Sequence, residues 1–303
     1  MKILLLGKDG QVGWELQRAL APLGELHALG RADVDLLDAD ALRARVRAVA
    51  PDVIVNAAAW TAVDRAETEE AAAHAVNARA PAVLAEEAAR IEAWLVHYST
   101  DYVFDGRKDG AYTEQDPVNP LSAYGRSKAA GEEGVRASGA RHLILRTGWV
   151  FGRGQNFART ILSLAREREQ INVVADQFGA PTGADLLADA TALALYRIAA
   201  MGAQEVALSG TYHVTASGRS SWHAYARHVV GEAQAGGAVL RAAPSGILPI
   251  ATRDWPTPAA RPANGSLDCG KFCAAFGLAL PDWRHHLNRF VATLAADQKG
   301  SIS

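Results

Sequence analysis

The sequence predicts an α/β protein: a doubly wound parallel sheet followed by a smaller carboxy-terminal substrate-binding region. Over the first 150 residues, short apolar runs alternate with segments rich in Ala, Leu, Glu and Arg, the pattern of strands wrapped by helices. A glycine-rich turn joins the first run to the first such segment. Beyond Trp149 the alternation fades, and Pro, Gly and aromatic residues gather in connections such as Asp254-Trp255-Pro256-Thr257-Pro258.

Taken in order, Lys2–Leu6 is the first expected strand and Gln11–Ala21 the first helix. Strand Glu25–Leu29, helix Ala39–Ala50 and strand Asp52–Asn56 follow. Ala66–Ile91 is expected as one helix, kinked at Pro81. Strand Trp94–Tyr98, helix Ala123–Ala137 and strand Arg141–Thr147 complete a dinucleotide-binding domain over residues 1–150. In residues 151–303, helices are expected at Asp185–Ala200 and Ser221–Ala233, and segments near 173–200 and 211–233 are candidates to return to the first domain. The last helix, Trp283–Ala296, puts Leu287, Phe290, Val291 and Leu294 on one face, with a frayed tail from Ala296. No internal repeat is present.

Composition narrows the function. The 303 residues carry 31 basic and 33 acidic side chains and are 49% hydrophobic, which excludes bulk disorder and a generally basic nucleic-acid binder. Two cysteines cannot form a disulfide framework, so a reducing cytoplasm is expected. Only Ile3 to Leu6 are apolar before Gly7, too short a run for a signal-peptide core or a membrane span. The expected partner is therefore a small molecule, with no nucleic acid and no membrane.

Gly7-Lys8-Asp9-Gly10-Gln11-Val12-Gly13 lies between a strand and a helix. Glycine there lets the chain turn tightly and lets a pyrophosphate approach the backbone, where the helix N-terminus favours anionic charge. The spacing G-x-x-G-x-x-G departs from the dinucleotide fingerprint by one residue. The second strand ends at Leu29-Gly30-Arg31 with no acid at its tip. Arg31 can pair with a 2′-phosphate, which favours NADPH with NADH still possible; a solvated surface arginine is the alternative. Asp35 and Leu36 are placed to flank an adenine. The small residues Ala57, Ala58 and Ala59 let a ribose or nicotinamide pack close to the backbone, or serve only helix packing.

Tyr124 and Lys128 are four apart in a helical segment, so they share a face. A nearby ammonium lowers a phenol's pKa from about 10, towards a working general acid. Ser99-Thr100-Asp101-Tyr102 follows the fourth strand, at the carboxyl edge where open α/β sheets bind ligands, so Thr100 can offer its hydroxyl to a carbonyl. Asn77 either orders a water near Lys128 or fills a helix surface. Trp149 either stacks on a sugar or joins the core, and Arg261 either grips a diphosphate or makes a surface ion pair. Cys269 and Cys273 read as helix packing, His285 and His286 as helix surface.

The blocks Gly7 to Leu16, Val53 to Ala59, His97 to Phe104, Tyr124 to Lys128, Arg146 to Val150, Asp176 to Thr182 and Arg261 to Asn264 together resemble the extended short-chain dehydrogenase/reductase superfamily. Within it the likeness is to reductases of dTDP-4-keto-6-deoxy sugars, nearly end to end. The resemblance implies a Rossmann-type fold and a catalytic set of Thr100, Tyr124 and Lys128. It implies a sugar nucleotide touched by Thr100, Asp101 and Trp149, with Tyr102 and Arg261 as further candidates. It implies a cofactor lined by Gly10, Gln11, Val12, Gly13, Asp35, Leu36, Ala59, Trp60 and Thr61. The implied reaction is hydride transfer from NADPH to C4 of dTDP-4-dehydro-β-L-rhamnose, with Tyr124 protonating the oxygen and Lys128 holding the cofactor ribose. Trp60, where histidine is frequent, and Gly30, in place of an acid, depart from relatives. Metal-linked dimers are described in this family. Glu15 matches one ligand position but Asp185 replaces a glutamate, so no metal ligands are assigned, Mg2+ is left open, and a homodimer is the expected assembly.

Three other functions fit parts of the pattern: a reductase of another 4-keto-6-deoxy sugar nucleotide, a dehydratase or epimerase of the same superfamily, and a non-catalytic subunit resembling the regulatory partner of methionine adenosyltransferase. Dehydratases resemble Thr-Asp-Glu after the fourth strand, and here Tyr102 takes the glutamate's place. The intact Thr100, Tyr124 and Lys128 set argues against a binding subunit.

Overall fold

The computed structural model describes residues 1–299; residues 300–303 of the expected tail lie outside it. Five strands, β1 (Lys2–Leu6), β2 (Glu25–Leu29), β3 (Val53–Asn56), β4 (Trp94–Thr100) and β5 (His142–Thr147), pair in parallel in the order β2-β1-β3-β4-β5. Gly210–His213 adds a sixth parallel strand beside β5. The inner strands are buried on both faces, which is why β1 and β3 read as unbroken apolar runs rather than alternating ones. The order reverses between β1 and β3, and ligands of such sheets bind in the crevice beyond the strand ends at that point.

Helices α1 (Gln11–Leu20) and α2 (Ala39–Val49) lie on opposite faces of the sheet. The expected helix 66–91 is instead broken into α3 (Val63–Ala66), α4 (Glu70–His74), a π-turn at Ala75–Arg79 and α5 (Ala80–Arg90). The break has a physical cause. Pro81 has no N–H to offer the Asn77 carbonyl, so the helical ladder shifts register there. Helix α6 (Ala123–Ala137) starts where expected, with Ser122 Oγ accepting from Gly125 N at 3.1 Å and Glu67 accepting from Ala123 N at 2.8 Å.

A second core forms from α7 (Phe157–Glu167), residues Ile171–Val174 paired with Ile247–Ile250, and two later helices. Not all of the later chain belongs to it. Helix α8 (Ala184–Met201) packs Leu187, Ala194, Leu195 and Ile198 against Leu16 and Leu20 of α1, closing the first core. Helix α9 (Trp222–Ala235) packs in the second core, whereas Phe272 and Phe276 of α10 (Gly270–Phe276) belong to the first. The final helix α11 (Trp283–Lys299) buries Leu287, Val291 and Leu294 as its pattern requires. It continues past Ala296, where a frayed tail was expected. No described helix is long and apolar enough to cross a membrane.

Candidate active site

A cleft of about 630 Å3 opens at the carboxyl ends of the central strands, lined by Leu6, Leu29, Ser99 and Thr147 from four of them and by Ala57 just beyond β3. Its floor is the glycine turn. Gly7 has φ +85°, and a Cβ there would run into the Ala58 backbone; a Cβ on Gly13 would collide with the Gly7 carbonyl. The turn, the small residues after β3 and α1 therefore close on one another only without side chains. The first-turn N–H groups of α1 have no helical acceptor and face the space a pyrophosphate would take. Buried Gln11 Oε1, without a partner among the described residues, lies at the same place.

The cofactor residues expected from sequence converge on this cleft. Gly7, Gly10, Gln11, Val12, Arg31, Asp35, Leu36, Ala57, Ala59, Trp60, Thr61, Tyr124 and Lys128 all line it; Gly13 does not and serves the close packing behind it. The tip of β2 corrects one expectation. Asp33 accepts from Gly30 N at 2.8 Å and from Lys8 Nζ at 2.6 Å, and the Asp9 carboxylate lies against Gly30. Acids thus reach the ribose end from outside the strand. Arg153 and Gln155 also line the cleft, and the Arg153 guanidinium lies 3.7 Å over the Trp14 ring. Sequence reasoning missed both, although an arginine set between Gly152 and Gly154 is a usable signal.

At the inner end, Tyr124 is 9% exposed and packs edge-on against Tyr102 at 5.5 Å. A Cβ on Gly125 would strike the Tyr102 carbonyl, so this glycine lets α6 approach the turn at Asp101–Val103 and brings Tyr124 to Thr100. Burial pushes the Tyr124 pKa up to about 12; a hydrogen bond with Thr100 opposes the rise and the Asp101 charge adds to it. The phenol is thus raised rather than lowered, contrary to expectation, and Lys128 has other partners. Its Nζ donates to the Tyr98 carbonyl at 2.6 Å and faces His97 Nε2 at 3.4 Å. Burial lowers Lys128 to about 8, against the pull of Glu132.

Thr100 Oγ1 donates to Asp101 Oδ1 at 3.0 Å and accepts from Tyr102 N at 3.2 Å. Asp101 is enclosed by Gly148 and Gly265, and burial raises its carboxyl to about 7 despite bonds from Thr100 and the backbone. One turn beyond Lys128, Glu132 is wholly buried and accepts a bidentate pair from Arg146, at 2.8 and 2.6 Å, together with Ser99 Oγ at 2.6 Å. This ties α6 to β4 and β5.

Asn77 is not the surface residue that one reading expected. Buried in the π-turn, it accepts from Trp60 N at 2.8 Å and donates to Trp60 O and Ser127 Oγ, both at 3.0 Å. It pins the loop after β3 to α6. The sugar-side candidates split. Thr100 and Asp101 adjoin Tyr124, whereas Trp149 (φ +50°) stacks on Trp222 at 3.6 Å and Arg261 forms a bidentate pair with Asp64 at 3.0 and 2.8 Å. The Arg261 bond holds Asp64 below the usual carboxylate range. His286 is buried and bonded to Asp185 at 2.8 Å, which corrects its reading as helix surface. Glu15 adjoins Arg18, and no group of three or more His, Cys, Asp or Glu suited to a metal occurs among the described residues.

A glycine turn in a switch-point cleft, with Tyr-x-x-x-Lys beside a threonine hydroxyl, defines an extended short-chain dehydrogenase/reductase. A family model described as the RmlD substrate binding domain matches residues 1–296. The chain belongs to that family, many of whose curated relatives are named dTDP-4-dehydrorhamnose reductase. The relative from Burkholderia thailandensis is 48% identical, covering 97% of this chain and 99% of its own. The crystal structure of a dTDP-4-dehydrorhamnose reductase from Clostridium acetobutylicum superposes with a TM-score of 0.88 at 33% identity, covering 97% of this chain and 99% of that one. That of the reductase from Bacillus anthracis, in complex with NADP, gives a TM-score of 0.85 at 32% identity, with 96% and 99% covered.

Proposed function

We propose that this protein reduces the C4 carbonyl of dTDP-4-dehydro-β-L-rhamnose to give dTDP-β-L-rhamnose, the last step of dTDP-L-rhamnose formation, with NADPH as preferred cofactor and NADH accepted. The observation that carries this reading is Tyr124, bonded to Thr100 and lining the inner end of a cleft floored by the glycine turn. A bound nicotinamide dinucleotide supplies the hydride. The chain's own residues do the rest.

The amides of Gln11 and Val12 hold the pyrophosphate, and Arg31, with no side-chain partner among the described residues, meets the 2′-phosphate. Asp9 and Asp33 at the same tip give a ribose 2′-hydroxyl acceptors, which is why NADH is accepted. Lys128 holds the nicotinamide ribose. Thr100 and Tyr124 both bond the C4 oxygen, fixing the carbonyl and stabilising the charge that develops on it. With its pKa near 12, Tyr124 carries its proton at neutral pH, and an alkoxide is basic enough to take it. Asp101, Tyr102 and Trp149 shape the sugar site, and Arg261 joins it by exchanging Asp64 for the diphosphate. We assign residues 1–150, with the returning α8 and strand Gly210–His213, to the cofactor and the second core to the sugar nucleotide. A homodimer in the cytoplasm completes the reading; both cysteines are free thiols.

The test is NADPH oxidation by the purified protein with enzymatically generated dTDP-4-dehydro-β-L-rhamnose, beside NADH and a Tyr124→Phe control. Stoichiometric oxidation lost in the control is the expected result. Cofactor binding without oxidation overturns it in favour of another keto-sugar or a binding subunit.

A further inference from the structure

Behind the cleft, a chain of hydrogen bonds runs from β3 to Lys128, and its direction can be worked out atom by atom. Asn56, buried at the end of β3, accepts from Ala58 N through Oδ1 at 3.2 Å. That bond orients the amide and leaves its Nδ2 facing His97 Nδ1 at 3.2 Å. An amide NH2 only donates, so Nδ1 accepts, and a neutral imidazole that accepts at Nδ1 carries its hydrogen on Nε2. This hydrogen faces Lys128 Nζ, 3.4 Å away. An ammonium has no lone pair to receive it, whereas an amine has one and can still donate to the Tyr98 carbonyl.

We propose that His97, held as its Nε2–H tautomer by Asn56, is a positioning residue that favours the amine over the ammonium form of Lys128. The inference rests on the reading of Lys128 as part of the reductase site. His97 cannot relieve the conflict by taking up a proton of its own. Burial and the Lys128 charge hold its pKa well below the usual value, and the ring is fully enclosed. Burial of Lys128 acts in the same sense, bringing it to about 8.

The other groups around Lys128 do not reverse this. On α6, Tyr124 lies one turn before it and is neutral at working pH. Glu132 lies one turn after it and favours the ammonium, but its carboxylate is engaged by Arg146, Arg136 and Ser99. From β4 only His97 and the Tyr98 carbonyl reach Nζ, and β3 contributes the neutral Asn56. The contacts around Nζ thus favour the amine form of Lys128.

The experiment is a 13Cε-lysine NMR titration of the full chain, which has only six lysines. The Lys128 signal is identified by its loss in Lys128→Met. In the unmodified protein it titrates near 8. His97→Gln offers Nζ a carbonyl oxygen. Asn56→Asp accepts the Nδ1 hydrogen and turns the Nε2 lone pair towards Nζ. Each moves the titration up by about one pH unit or more. A titration that stays in place in both folded variants overturns the proposal, as does an ordinary lysine value of about 10.4 in the unmodified protein. The readout does not depend on turnover. If the shifts occur and no keto-sugar is reduced, the reductase reading fails and this one stands. If reduction occurs and nothing shifts, the reverse holds.

Discussion

The two sides of the active site are built from different materials. On the cofactor side, backbone does the work: a φ of +85° at Gly7, the contact of Gly13 with the Gly7 carbonyl and the small residues after β3 shape the floor before any side chain matters. On the side proposed for the sugar, side chains do it, and several already have protein partners: Arg261 with Asp64, Trp149 with Trp222, Asp101 with Thr100. A backbone-built site tolerates almost no added atom. A side-chain-built site has its charges and rings held in place by groups the substrate must replace or join.

The largest expected effect tests the junction of the two sides. Tyr124→Phe should cut turnover by roughly 10²–10⁴-fold while leaving dinucleotide binding unchanged, measured by stopped-flow absorbance and cofactor fluorescence. Next, Glu132→Ala leaves Arg146 buried and unpaired and should cost about 3–5 kcal/mol in urea unfolding. A small loss there would mean that the tie from α6 to β5 is incidental. Gly13→Ala probes the cofactor side alone. Its Cβ must displace the Gly7 carbonyl, with a stability loss of about 1–3 kcal/mol and a fall in dinucleotide affinity seen by calorimetry.

Asp101 probes the proposed sugar side through pH. Its folded value of about 7 lies above the unfolded one near 3.9, so between these the folded state holds the proton more tightly. Stability therefore falls as pH rises from about 4 to about 7 and levels off above. Asp101→Asn should remove that slope and add roughly 1–3 kcal/mol at pH 8, read from urea midpoints at pH 5 and 8. The smallest effect belongs to Arg261 and Asp64. A double-mutant cycle should give about 0.2–1 kcal/mol of coupling, since the pair is only partly buried. A KM for the keto-sugar nucleotide that rises far more in Arg261→Ala than this coupling allows would place the guanidinium on the diphosphate.

The same contrast governs what could be read in advance. Strand runs, the glycine turn and the Tyr124–Lys128 spacing were legible because each is a local rule of backbone or helix geometry. The existence of β1 to β5 followed from them, and their order in the sheet comes from the structure. The acids at the β2 tip were not legible, because Asp9 and Asp33 reach Gly30 from neighbouring turns and not from the strand end itself. Nor was the role of Asn77, which depends on a register shift that Pro81 hinted at only as a kink. Lys128 misled for a related reason: spacing placed it one turn from Tyr124, but its contacts with Tyr98 and His97 come from β4, distant in sequence.

The return of α8, strand Gly210–His213 and α10 to the first core also bears on how the chain comes into being. When residue 150 leaves the ribosome, Leu16 and Leu20 have no cover on one face of the sheet, and the outer edge of β5 is bare. Tyr212, Phe272 and Phe276 complete that core only after nearly the whole chain has emerged. The nascent amino-terminal half thus waits with a pairing edge exposed until residues 210–213 emerge, and its core stays part-finished until α10 follows.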